Sequence, residues 1–205
     1  MKPPTVFTPG MLDVLRELLN IGVGRAARAI AELSDREVVL HVLEIKVLDL
    51  TSAGQLAEFR GQINLRVSQS FSGGLEGCGS FVLDRSGAVR LVQLLRGKAD
   101  HDVAFDDLDR GALLELGNVV VGSAVGMLAA ELHVEVRYEL PQLQLRGLEE
   151  VADLFADIAP ADSVPALIMR ASLRLRGDRV NGHLILFFPG PGLEALTTRL
   201  ARLAP

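Results

Sequence analysis

Residues 13–43 and 111–141 of this chain are two versions of one segment, and that duplication limits the fold more than any other feature. A shift of 98 aligns them with ten identities in 31 positions: Leu15/Leu113, Glu17/Glu115, Leu18/Leu116, Asn20/Asn118, Val23/Val121, Gly24/Gly122, Ala26/Ala124, Ala31/Ala129, Glu37/Glu135 and Val38/Val136. A Leu- and Ala-rich chain would give on the order of two or three by chance. Each copy opens on a helix. Thr8 can cap the first and Pro9 suits its first position. Leu12, Leu15, Leu19, Val23, Ala26, Ile30 and Leu33 then recur at three- and four-residue steps until Ser34-Asp35. Asp106 or Asp107 can cap the second, which carries helical apolar spacing from Leu113 to Leu128.

Strands follow both helices. Val38 to Leu50 reads as one strand with a bulge or two short ones, and Val134, Val136, Tyr138 and Leu140 alternate with polar residues as a half-buried strand. Ile63 to Val67 and Leu75 to Leu83 form a hairpin about Ser72-Gly73-Gly74, and Leu167 to Leu175 pairs with Val180 to Phe188 about Gly177-Asp178. Short helices close the halves: Ala88 to Leu95, capped by Ser86 and stopped by Gly97, and Leu193 to Leu203. Gly147 to Ile158 is a further candidate helix. Each half is helix, strands, hairpin, helix, and two such halves bury their strands most simply in a shared sheet. The expectation is one α/β (α+β) domain over residues 1–205. Its pseudo-symmetric repeats cover about 8–97 and 106–205, with long helices on a mainly antiparallel sheet.

Composition narrows the function. With 49% hydrophobic and 23% charged residues, 205 residues can bury about 70% of the unfolded surface. A net charge of −5 provides no basic field for nucleic acid. The longest uncharged stretch, Leu116 to Ala130, falls short of the ~18 residues of a membrane span. No apolar segment follows Met1-Lys2-Pro3-Pro4, and Cys78 is the only cysteine, so a reduced cytoplasmic setting is expected. His41, His101, His133 and His183 lie far apart without ligand spacing, so no metal site is expected.

A polar stripe survives beside the leucines. Asp13, Glu17, Asn20 and Gly24 stand at i, i+4, i+7 and i+11; their counterparts are Gly111, Glu115, Asn118 and Gly122. Solvated helix faces drift after duplication. Asn is a mediocre helix former and interior Gly costs ~1 kcal/mol against Ala, so propensity does not explain their retention in register.

These residues bear a family resemblance. Glu-Leu-Leu-Asn-Ile-Gly-Val-Gly-Arg-Ala-Ala and Glu-Leu-Gly-Asn-Val-Val-Val-Gly-Ser-Ala resemble the two signature helices of the CheC/CheX/FliY phosphatases of bacterial chemotaxis, CheC above all in length and element order. The family pattern is Asp or Ser, three residues, Glu, two residues, Asn, then 22 residues and Pro. The first copy supplies Asp13, Glu17 and Asn20 but has Leu43 in place of Pro. The second supplies Glu115, Asn118 and Pro141 but has Gly111 in place of Asp or Ser.

The resemblance implies hydrolysis of the aspartyl phosphate of a response-regulator receiver domain, such as phosphorylated CheY. Asn20 and Asn118 would position water, and Glu17 and Glu115 would pair with a lysine of the partner. Asp13, Gly24, Gly122 and Pro141 would serve docking. The receiver domain would bring Mg2+, so none is expected in this chain; the deamidase CheD is a further candidate partner. The FliM middle domain resembles this fold without the Glu/Asn pairs, so a receiver-binding or flagellar-switch-like adaptor is the competing reading. Gly22-Val-Gly24-Arg-Ala-Ala27 meets a loose dinucleotide fingerprint, but the residues before it have helical rather than strand character.

Overall fold

Thr8 and Pro9 start the first helix by the chemistry of their side chains. The Thr8 hydroxyl accepts a hydrogen bond from the Met11 amide at 3.3 Å, and Pro9, which has no N–H to orphan, is the first helical residue. The structure, a computed structural model, describes residues 7–34, 38–49, 63–96, 105–147, 165–175 and 178–204. In chain order these form α1 (Pro9–Ser34), β1 (Val38–Asp49), β2 (Ile63–Gly73), β3 (Gly77–Asp84), α2 (Arg85–Arg96), α3 (Asp107–Glu131), β4 (Val136–Tyr138), β5 (Gln142–Gly147), β6 (Pro165–Leu175), β7 (Asp178–Phe187) and α4 (Gly190–Leu203).

The strands make one seven-stranded sheet in the order β1-β6-β7-β3-β2-β4, with β5 also paired to β2. Every described pairing is antiparallel, which makes the fold α+β. Both hairpins form with the expected partners. The turn between them in the first half needs Gly73, whose φ is +114°, and the Gly74 amide donates to the Glu135 carbonyl at 2.9 Å. Gly97, the residues 176–177 and all but the first residue of the helix expected over Gly147–Ile158 lie outside the described residues; Gly147 itself ends β5.

Both long helices bury their apolar stripes. Leu15, Leu19, Val23 and Ala26 of α1 and Val120, Val121, Ala124, Val125 and Leu128 of α3 are fully buried, in one core with Val67, Phe81, Leu83 and Leu184 from the sheet. Helix α3 is apolar enough, with a mean hydropathy of 1.7 over 18 residues, to pass for a membrane span by length and composition. Here that apolarity is explained by packing, because α3 lies against both α1 and the sheet. Asp106 caps α3 with a reciprocal bond to Asp109, and Arg96 at the end of α2 pairs with both carboxylates. His133 stops α3 in the left-handed conformation at φ 54°.

Three local expectations need correction. Asp84, not Ser86, caps α2: its carboxylate accepts from both the Ser86 hydroxyl and the Gly87 amide. The strand expected over Val134–Leu140 forms only at Val136–Tyr138, because Pro141 has no donor and the ladder to β2 breaks between Tyr138 and Gln142. Leu140, in that break, is 88% exposed rather than half-buried. The first of the two forms expected for β1, one strand with a bulge, is the one found: its pairing with β6 slips between Val42 and Glu44, at Leu43.

Glycine sets the depth of packing. A Cβ at Gly22 would meet the Ser123 carbonyl of α3 at 2.8 Å, so the fingerprint-like glycine is a contact inside a continuous helix. A Cβ at Gly117 would overlap the side chain of Val67 in β2, whereas one at Gly111 meets open space. Gly117→Ala should therefore cost about 1–3 kcal/mol in urea unfolding. Adding Val67→Ala should do less harm than the two losses summed, and Gly111→Ala should gain up to about 1 kcal/mol. Equal effects of the two alanines would show that α3 does not press on β2.

Candidate functional site

The two stripes lie on the outward faces of α1 and α3. Asp13, Glu17, Asn20 and Gly24 are all exposed along α1, and Asp13 carries a long ion pair to Arg16 at 3.6 Å, of little energetic weight at such exposure. On α3, Gly111 and Glu115 are exposed, while Asn118 and Gly122 are half-buried. Each helix therefore brings its Glu and Asn together on one face, one turn apart.

The surroundings of the two asparagines differ. Asn20 stands open. Asn118 meets Gln69 of β2, whose Nε2 donates to the Asn118 Oδ1 at 2.9 Å and to the Glu139 carbonyl at 3.0 Å. The expectation that both asparagines lie on a solvated stripe thus holds for Asn20 and needs correction for Asn118. Gln69 is 5% exposed, and its own Oε1 is buried with no partner among the described residues. An orphaned buried carbonyl costs on the order of 1–3 kcal/mol, which the two hydrogen bonds donated by the same amide have to offset.

The break between β4 and β5 supplies the wall beside this face. The Glu139 amide donates to the Ser70 carbonyl at 3.0 Å, holding the interrupted chain on β2. Tyr138 reaches across to α3 and donates its hydroxyl to the Gly122 carbonyl at 3.3 Å. Partial burial pushes the Tyr138 phenol above its usual range, which keeps that donor protonated. Half-buried Pro141 ends the break, with exposed Leu140 beside it. Leu43, 98 residues before Pro141, stands at the β1 bulge, so the ladder is interrupted at both positions.

Sequence reasoning missed Gln69 and Tyr138. The signal for Gln69 was a polar residue in an inward series with Leu65, Val67 and Phe71. Cys78 is no nucleophile candidate, since burial pushes its thiol up. Among the described residues no group of three or more His, Cys, Asp or Glu could hold a metal ion.

No family model matches the chain. By structure, Thermotoga maritima FliY superposes with a TM-score of 0.78 at 19% identity over 97% of this chain and 99% of that one. The Helicobacter pylori FliM middle domain does so with 0.67 at 10% identity over 94% and 99%. The CheX–CheY–BeF3–Mg2+ complex of Borrelia burgdorferi matches with 0.50 at 17% identity over 82% and 96%. The class is thus the antiparallel α+β fold of the chemotaxis and flagellar-switch proteins. By sequence, the CheY-P phosphatase CheC of Bacillus subtilis is 31% identical over 140 residues, 65% of this chain and 66% of that protein. The chain belongs to the CheC/CheX/FliY family.

A Cβ at Gly24 or Gly122 meets nothing within 4 Å, so no contact within the described residues calls for either glycine. Gly24→Ala and Gly122→Ala should each raise unfolding stability, by up to about 1 kcal/mol from helix propensity. Destabilisation in a thermal melt would show that the chain itself needs these faces bare.

Proposed function

We propose that this chain is a phosphatase that accelerates hydrolysis of the aspartyl phosphate of a CheY-like receiver domain. The observation that carries the reading is the pair of Glu/Asn sets on α1 and α3, of which Glu17, Asn20 and Glu115 are exposed and Asn118 meets Gln69 through its oxygen. It is supported by the moderate identity to a protein named CheY-P phosphatase and by a CheX structure containing CheY.

The chemistry asks little covalent help of this protein. A water oxygen bonds to phosphorus while the bond from phosphorus to the aspartyl oxygen breaks, giving inorganic phosphate and a free carboxylate, with the water's protons passing to phosphate and solvent. What raises the rate is an in-line water and neutralised charge. Asn20 and Asn118 hold that water, since a carboxamide can bond it without changing charge. Glu17 and Glu115, exposed one turn earlier, pair with a lysine of the receiver and fix the docking register. Asp13, Gly24, Gly122 and Pro141 form the docking surface around them. Mg2+ belongs to the receiver, where it neutralises phosphoryl oxygens. The setting is cytoplasmic, with no membrane or nucleic-acid partner; CheD is a further partner to test.

The two sites come from one domain of two repeats. Exchanging the strands of one half for those of the other turns the order β1-β6-β7-β3-β2 with β4 and β5 into its own reverse, which supports a pseudo-two-fold sheet. The interruptions at Leu43 and Pro141 support it as well.

A non-catalytic adaptor is the second reading, favoured by the likeness to the FliM middle domain. Following acyl phosphate on a magnesium-loaded receiver separates the two. Asn20→Ala or Asn118→Ala alone should leave part of the activity, and the double variant should bind the receiver yet lose nearly all turnover. Glu17→Ala with Glu115→Ala should weaken association by about 1 kcal/mol or less per pair, and by less still in high salt. A double asparagine variant as active as the parent would leave the adaptor standing.

A further inference from the structure

We propose that Gln69 is the positioning residue of the second site, fixing Asn118 with its oxygen turned inward and its NH2 turned out as a donor. The inference rests on the phosphatase reading and assigns that site a polarity. The Glu139 carbonyl can only accept, so the Gln69 atom 3.0 Å from it is the nitrogen. The same nitrogen lies 2.9 Å from Asn118, which must therefore present its Oδ1. A backbone carbonyl thus sets the orientation of Gln69, and Gln69 sets that of Asn118. The Asn118 Nδ2 has no partner among the described residues and is not among the buried orphan atoms, so it faces solvent. What it offers an incoming acyl phosphate is a hydrogen bond to the attacking water's oxygen or a phosphoryl oxygen, not an acceptor for a proton.

The first site lacks this device. Gln142 lies opposite Ser68 and Tyr138 opposite Phe71. Their counterparts 98 residues earlier, Glu44 and Leu40, lie opposite Arg170 and Leu173. Both pairs give an offset of 102 between β2 and β6, which puts Ala171 at the register position of Gln69. Alanine has no amide to hold Asn20. The two sites are therefore unequal, with the second pre-organised and the first dependent on its partner for the orientation of its asparagine.

Two measurements on the full chain decide this. Side-chain ¹⁵N relaxation should report an ordered Asn118 amide and a mobile Asn20 amide, with Gln69→Ala and the shape-retaining Gln69→Met releasing only the former. An Asn118 amide already mobile in the parent, or unmoved by either variant, overturns the proposal. Kinetics use a receiver charged with acetyl phosphate and Mg2+. In an Asn20→Ala chain, Gln69→Ala or Gln69→Met should lower kcat about tenfold or more with little change in KM, as expected for a misplaced group. Added to Asn118→Ala, the same changes should lower kcat by less than about twofold, because the coupled partner is already gone. Equal losses in both backgrounds would mean general destabilisation and overturn the positioning role. A parent chain with no activity on the charged receiver would sink the phosphatase reading, and the role towards phosphate with it, even where the amide stays ordered.

Discussion

The depth at which α3 sits on the sheet governs the site. Gly117 brings the helix backbone onto Val67, and Gly79 in β3 similarly leaves room for Val121. With the helix so close, the next residue, Asn118, meets Gln69, the inward neighbour of Val67 on β2, at 2.9 Å. The position equivalent to Gly117 on α1 is Leu19, fully buried. A leucine side chain there is taken into the core, and the adjoining Asn20 is exposed. A tethered asparagine on α3 thus goes with Gly117 and Gln69, and an exposed one on α1 with Leu19 and, at the register position of Gln69, Ala171.

Much of this was legible in the sequence because it depends on local chemistry and periodicity. Thr8, Pro9 and Asp106 start helices through groups a few residues away, and the leucine stripes need only a period of 3.6. Even the irregularity of the first strand was visible, and it falls at Leu43. What the sequence concealed depends on partners distant along the chain. The alternation from Val134 to Leu140 looks like one strand; only the pairing with β2, together with the missing N–H of Pro141, shows why it breaks and leaves Leu140 at 88% exposure. Asp84 outcompeted Ser86 because the carboxylate closing β3 already points at the first turn of α2. Gln69 was readable as an oddity, and its purpose was not, since Asn118 and Glu139 lie 49 and 70 residues away.

Fold and function rest here on different residues. The sheet and core that this chain shares with FliM at 10% identity involve Leu15, Val67, Phe81, Val121 and their neighbours, all facing inward. The outward stripe contributes almost nothing to that core: Glu17, Asn20 and Glu115 are exposed, and Gly24 and Gly122 have open space where a Cβ would stand. Stability would prefer alanine at both glycines and is indifferent to the glutamates. A face that runs against helix propensity on both α1 and α3 fits the docking role proposed above better than it fits the folding of the chain. At Asn118 the orphaned Gln69 oxygen adds a local cost to the fold, which the proposed positioning role would account for. On the proposed phosphatase reading, that local cost separates a helix face arranged for chemistry from one that is merely wet.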